Sequence, residues 1–282
     1  MIDRPIILLG TQRSSTTYMG GVFSEHPSLA YWSEPRHVWT WGNSYRKDDV
    51  LTASDVTPRI KRHIHKQFSR FVNDRGRARL IEKTPSNCLR ISFIHEIFPD
   101  AIFIQIIRDG RSVIQSTKNI MSGGIPSRRI VQRALETPVW GWPAYMLPAM
   151  AALKRKITKQ PLKFWGPRPS GWRQWLEDDP PHVVLARQWA GTITRAIEDG
   201  QALPSNQYFR YRYEEFVNGP RQIMERIFDV TQLESDPEIV DQVVSSVDPS
   251  RANKWREAID QQTLDAIRPV MEPVLQRLGY DW

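Results

Sequence analysis

The sequence predicts an α/β fold with a central parallel sheet. Two short runs, Arg4 to Gly10 and Ala101 to Ile107, are almost continuously apolar, as strands buried on both faces must be. Stretches with helical spacing alternate with the strand candidates at the interval of βαβ units. The 282 residues are 40% hydrophobic and 25% charged, which suits a folded chain and excludes a disordered, collagen-like or disulfide-scaffold protein.

Taken in order, Arg4 to Gly10 reads as a buried strand closed by glycine, Thr11 to Ser14 as a polar loop, and Ser15 to Ser24 as a helix. Ala78 to Ile81 reads as the next strand. Ser86 to Phe98 then places Leu89, Phe93, Ile94 and Ile97 on one helical face and stops at Pro99-Asp100. Ala101 to Ile107 is the strongest strand candidate, and Asp109 to Ile120 the helix after it. Residues 121–181 break this rhythm with a Gly-Gly pair, nine prolines and five tryptophans, and read as an irregular or partly helical insertion. The alternation resumes with a helix from Val183 to Asp199, a strand near Gln207 to Arg212 and a helix from Pro220 to Phe228. Gln262 to Leu278 has helical spacing, with Pro269 and Pro273 expected to kink or break it.

The net charge is +8, and the insertion alone carries ten Lys/Arg against four Asp/Glu. Such a local positive field suits an anionic ligand, an anionic acceptor or nucleic acid, and it also suits a solvated surface. Cys88 is the only cysteine, which excludes an intrachain disulfide and a cysteine-based zinc site. There is no window approaching a membrane span and no signal-peptide layout at the N-terminus, so a cytoplasmic setting is expected.

Two constellations carry chemistry. Gly10-Thr11-Gln12-Arg13-Ser14-Ser15-Thr16-Thr17 lies between a strand and a helix and offers backbone N–H groups, a helix N-terminus, hydroxyls and one cation. Those are the groups that hold a phosphate, although a Ser/Thr-rich helix cap would read the same way, and the Gly-Lys-Ser/Thr of a Walker A loop is absent. Arg108 through Ser116 places an arginine at the C-terminal end of the best strand, where ligands of open α/β sheets bind. A guanidinium there can grip a second phosphate, or Arg108 or Arg111 can form a structural ion pair with Asp109.

Together these pieces resemble the sulfotransferases that use 3′-phosphoadenylyl sulfate (PAPS). Arg13-Ser14-Ser15-Thr16-Thr17 is similar to the family's Arg-Ser-Gly-Thr-Thr loop for the 5′-phosphosulfate, with Ser15 standing where glycine is usual. Arg108 and Ser116, eight residues apart, are similar to its 3′-phosphate motif. Glu82-Lys83-Thr84-Pro85 resembles the segment carrying the transfer lysine, Tyr211-Arg212-Tyr213-Glu214-Glu215 the segment near the adenine, and Asn253-Lys254-Trp255 the C-terminal element of the tyrosylprotein branch. The histidine that follows the lysine in the cytosolic small-molecule branch is missing; Glu34, 21 residues past Arg13, resembles the glutamate of the tyrosylprotein and heparan branches.

The resemblance implies a three-layer P-loop-NTPase-like fold, a single domain over residues 1–282, and residues 121–181 as an insertion or acceptor lid. It implies PAPS as donor, PAP (3′,5′-adenosine bisphosphate) as product and no metal. Gln12, Arg13, Ser14, Ser15, Thr16, Thr17, Arg108, Ser116, Tyr213 and Lys254 would hold the nucleotide, with Glu34, Lys83 and Arg13 catalytic. Glu34 would be the base, its pKa raised by burial among Trp32, Trp39 and Trp41, and His37 the competing base. The acceptor would be a glycan, small natural product or peptide hydroxyl or amine, met by the insertion's tryptophans (Trp140, Trp142, Trp165, Trp172, Trp175) or by Arg128, Arg129, Arg155 and Arg168; packing and solvation would use the same residues. No nucleic-acid partner is expected, and the oligomeric state is left open. A P-loop kinase or NTPase would want a Walker lysine and an acidic magnesium ligand, and a nucleic-acid-binding protein would leave the ordered motifs unexplained.

Overall fold

The computed structural model of the protein describes residues 2–123 and 163–282. Five strands, β1 (Ile6–Leu9), β2 (Leu29–Ser33), β3 (Arg79–Lys83), β4 (Ile102–Ile107) and β5 (Tyr208–Arg212), form one parallel sheet in the order β2-β3-β1-β4-β5. The chain therefore switches sides at β1, with β2 and β3 on one flank and β4 and β5 on the other. A ligand crevice forms at the carboxyl ends of strands flanking such a switch.

The alternation of side chains along the strands divides the core into two layers. Ile7, Leu9, Leu80 and Phe103 face one way, onto α3 (Pro58–Asn73) and α4 (Ile91–Ile97), where Ile64, Phe68 and Phe93 are fully buried. Ile6, Leu8, Ile81, Ile104 and Ile106 face the other way, onto Met19 and Phe23 of α1 (Thr16–Ser24) and Met224, Ile227 and Phe228 of a helix at Pro220–Thr231. A third cluster joins Ile107 to α5 (Gly110–Gly123), to a helix at Pro181–Gln201 and to the C-terminal helix Gln261–Arg277. The α/β class and the parallel sheet are as the apolar runs predict.

Several elements differ from expectation. The helix expected over residues 86–98 is two pieces, a 3₁₀ turn at Pro85–Leu89 and α4, because Arg90 leaves helical geometry at φ −148°. Gln261–Arg277 is one helix despite its two prolines. They sit four residues apart on an exposed face, so the carbonyls deprived of a donor can turn to water. Strand β2, α2 (Arg36–Trp39), α3 and the helices at Tyr213–Asn218, Pro237–Ser246 and Trp255–Ala258 are elements the apolar pattern did not single out. Of the insertion, residues 163–171 are loop and Trp172–Asp178 is a helix. Trp140, Trp142, Arg128, Arg129 and Arg155 lie outside the described residues. Among the described residues no helix is long and apolar enough to cross a membrane.

Candidate active site

The loop after β1 has left-handed backbone at Arg13 (φ 67°) and Ser15 (φ 65°). Each such residue with a Cβ costs about 1–2 kcal/mol, a cost that persists where the loop's shape is itself needed. Gly10 has no alternative: a Cβ there would lie 2.7 Å from Thr16 Cγ2 and 2.9 Å from the Ile106 carbonyl. Ser15 stands at the N-terminus of α1 without a side-chain capping bond, and no acidic residue occupies the first turn. The first-turn N–H groups are thus left for an anion. The side chains of Gln12 and Ser14 are buried; Ser14 Oγ pairs with Thr11 Oγ1 at 2.8 Å, and Gln12 Nε2 donates to Gln188 Oε1 at 2.6 Å.

Beside this loop, at the carboxyl ends of β1 and β4, lies a cleft of about 370 Å³. It is lined by Arg13, Ser15, Thr16, Thr17, Arg108, Ser116, Tyr213 and Lys254, together with Tyr18 and Gln115. Sequence reasoning missed the last two; both lie one residue from a motif position, the only signal that marked them. Arg108 donates to the Arg13 carbonyl at 3.0 Å and lies over the Tyr213 ring at 4.6 Å. Arg13 reaches across the cleft, its Nε donating to Ser116 Oγ at 2.8 Å, so the loop after β1 meets the Arg108–Ser116 segment.

The structural ion pair of this region belongs to Arg111, which holds Asp109 at 2.8 Å in a buried fork. Trp255 packs on the Arg111 guanidinium at 4.0 Å and brings the neighbouring Lys254 to the cleft. Glu214 accepts from the Asp109 N–H and from the Tyr280 hydroxyl, and burial pushes its carboxyl above the usual range. The Tyr-Arg-Tyr-Glu-Glu segment therefore supplies Tyr213 to the cleft and Glu214 to its support.

Strand register assembles the remaining pair. Ser33 of β2 and Leu8 of β1 both stand opposite Lys83 of β3, so Glu34 leaves the sheet beside the lysine. Its N–H donates to the Lys83 carbonyl at 2.8 Å, and its left-handed backbone (φ 58°) turns the chain there. Lys83, 2% exposed, donates to Glu34 Oε1 at 3.0 Å and to Thr17 Oγ1 at 3.3 Å, which ties the pair to the start of α1. Glu82 points to the opposite face, accepting from Thr84 and Asn87, and complete burial raises its carboxyl to about 7. Lys83 thus pairs with Glu34 and not with its sequence neighbour.

The tryptophans expected to enclose Glu34 pack in or against the core. Trp32 stacks on Phe71 at 4.0 Å, Trp41 stacks on His63 at 4.0 Å, and Trp39 is fully buried in the core. Glu34 instead faces two cations, Lys83 and, at 3.5 Å, Arg36. Burial, with His63 nearby, lowers His37 to about 4, which makes it a weak proton acceptor. Arg168 is held by Asp49, and Trp172 Nε1 donates to the Lys47 carbonyl. Among the described residues no group of three or more His, Cys, Asp or Glu is placed to hold a metal ion.

The chain is similar over 99% of its length to a protein-tyrosine sulfotransferase of Drosophila melanogaster (23% identity) and over 98% to protein-tyrosine sulfotransferase A of Caenorhabditis elegans (22% identity). It spans about half (52%) of the fly protein and 67% of the worm protein. Its fold is shared with the sulfotransferase domain from the curacin biosynthetic pathway (TM-score 0.58, 14% identity, 99% of both chains). It is shared also with a mouse sulfotransferase complexed with PAP (TM-score 0.51, 10% identity, 99% of this chain and 87% of that one). Residues 5–164 match the model of the sulfotransferase family, a span that holds the loop after β1, the Lys83–Glu34 pair and the Arg108–Ser116 motif; the chain belongs to that family.

Proposed function

We propose that this chain transfers a sulfuryl group from PAPS to an acceptor hydroxyl or amine. The observation that carries the reading is the juxtaposition at one sheet end: a cleft lined by two anion-reading motifs, bordered by the Lys83–Glu34 pair that reaches it through Thr17. The cleft suits a nucleotide with two separated phosphate groups. Its volume lies in the range of small-ligand sites, and the uncapped start of α1 and the Arg108–Ser116 motif supply separate sets of donors.

When bound, PAPS supplies an activated sulfuryl group. The α1 N-terminus, Ser15, Thr16 and Thr17 would hold the 5′ end, while Arg108 and Ser116 would grip the 3′-phosphate and Tyr213 and Lys254 would flank it. Glu34 would take the acceptor's proton as the acceptor oxygen or nitrogen bonds to sulfur and the sulfur's bond to the phosphate oxygen is released. Lys83, shared between Glu34 and the loop, and Arg13 would offset the charge that develops on the departing phosphate. The likeness to protein-tyrosine sulfotransferases favours a peptide hydroxyl among the acceptors.

Isothermal titration calorimetry with PAP, Mg·ATP and a 5′-monophosphate, on wild type and Arg108→Ala, tests the cofactor. Binding of PAP without metal, weakened about 10- to 100-fold in the variant, is the expected result, since a charge-assisted bond is worth about 1.5–3 kcal/mol. Binding of Mg·ATP with indifference to the 3′-phosphate would overturn the reading and reopen the kinase alternative.

A further inference from the structure

We propose that Asp49 is a positioning residue that couples the return limb of the insertion, residues 165–168, to the turn presenting Lys83. The inference rests on the transfer reading above and adds a part that neither anion motif contains.

Asp49 is 7% exposed and makes an unusually complete set of bonds across 119 residues of sequence. Its N–H donates to the Arg168 carbonyl at 2.8 Å, and its Oδ2 accepts from the Arg168 N–H at 2.9 Å. Its Oδ1 accepts from Arg168 Nε at 3.2 Å and from the terminal guanidinium nitrogen at 2.7 Å. Two neighbouring bonds extend the seam: Ser170 Oγ to Asp48 at 3.2 Å and Trp172 Nε1 to the Lys47 carbonyl at 2.9 Å. A carboxylate so placed reads both the backbone and the side chain of one residue, which sets register rather than mere proximity.

The same carboxylate also holds the lysine turn. Ser86 Oγ donates to Asp49 Oδ2 at 2.8 Å, three residues beyond Lys83. Leu51 N donates to the Leu89 carbonyl at 3.3 Å, and Arg90 Nε closes the turn onto the Ser86 carbonyl at 3.2 Å. On the other side, the limb lies across the phosphate loop. Gln188, fully buried, donates to the Trp165 carbonyl at 3.0 Å and the Pro167 carbonyl at 2.7 Å, and accepts from Gln12. Gly166, at φ 109°, passes so close that a Cβ would lie 2.7 Å from Gln12 Cδ. The limb thus touches the immediate neighbour of Arg13 at one end and, through Asp49, the turn of Lys83 at the other. A limb displaced by substitution would thus disturb the surroundings of both cations that the transfer reading uses.

The test compares wild type with Asp49→Asn and Arg168→Ala, with Arg168→Lys as the conservative variant. Arg168→Ala, whose side chain is 41% exposed, keeps the experiment informative should Asp49→Asn not fold. Hydrogen exchange is followed in peptides covering residues 84–90 and 163–171, with β4 as the control, alongside PAP affinity and turnover of PAPS with water as acceptor. The expected result is exchange faster by about tenfold in both segments, unchanged in β4, with kcat down about tenfold and PAP affinity within about threefold; Arg168→Lys restores part of kcat. Loosening of 163–171 with residues 84–90 unchanged, or loss of PAP affinity in proportion to kcat, would overturn the coupling. Failure of wild type to bind PAP would sink the transfer reading instead, and the exchange result would still decide whether the two segments are coupled.

Discussion

Ser15→Gly isolates the one position at which the loop after β1 departs from the family's glycine. Ser15 holds φ 65° and ψ 11°, a left-handed conformation that costs a residue with a Cβ about 1–2 kcal/mol. Its side chain makes no capping bond to the helix it precedes, so removing the hydroxyl forfeits no such contact. Against the relief stands the greater freedom of glycine in the unfolded chain, about 0.4–1 kcal/mol. The difference leaves the variant more stable by about 0–1.6 kcal/mol, or up to about 3–6 °C in Tm for a chain of this size. Thermal and urea unfolding of wild type and variant give the number, and PAP titration shows whether the hydroxyl contributes to binding. A Tm lower than wild type by more than about 1 °C would refute the reasoning. It would mean that the serine side chain supports the loop by more than its backbone strain costs.

Glu34→Gln should lower PAPS turnover about 10²- to 10⁴-fold with PAP affinity within about threefold, whereas His37→Ala should stay within about threefold of wild type; steady-state kinetics with calorimetry separates the two bases. Lys83→Ala should lower kcat about 10²- to 10³-fold, and a change confined to KM for PAPS would argue that the lysine only binds. Glu82, raised from 4.5 to about 7 in the folded chain, binds a proton there that the unfolded chain has released between those pH values. Stability should therefore fall as pH rises from about 4.5 to 7, by a few kcal/mol at most, and a urea-midpoint series should lose this slope in Glu82→Gln. Asp49 behaves oppositely: burial raises its carboxyl, but Arg90, Arg168 and Arg36 outweigh that and hold it low, so its contribution is present above 3.8 and is lost on acidification below that value.

Local sequence determined the central strands, because strands covered on both faces must be almost wholly apolar; Ile6–Leu9 is so throughout, and Ile102–Ile107 is broken only by Gln105. It also marked the two candidate anion segments, since each is a continuous stretch leaving a strand and entering a helix and needs no distant partner to be read. Strand β2 was not legible. At the sheet edge its residues Tyr31, Trp32 and Ser33 are only half-buried, so Leu29–Ser33 carries neither a continuous apolar run nor clean alternation. Without β2 the register that sets Ser33 opposite Lys83 is invisible, and with it the pairing of Glu34 with Lys83 and not with Arg36 alone. The choice of Arg111 over Arg108 as the partner of Asp109, and the clamp from Asp49 to Arg168, were likewise decided in three dimensions. Residue identities limit which ion pairs are chemically allowed, but a pair between charges 119 positions apart forms only where packed strands and helices bring its two ends within a hydrogen bond of each other.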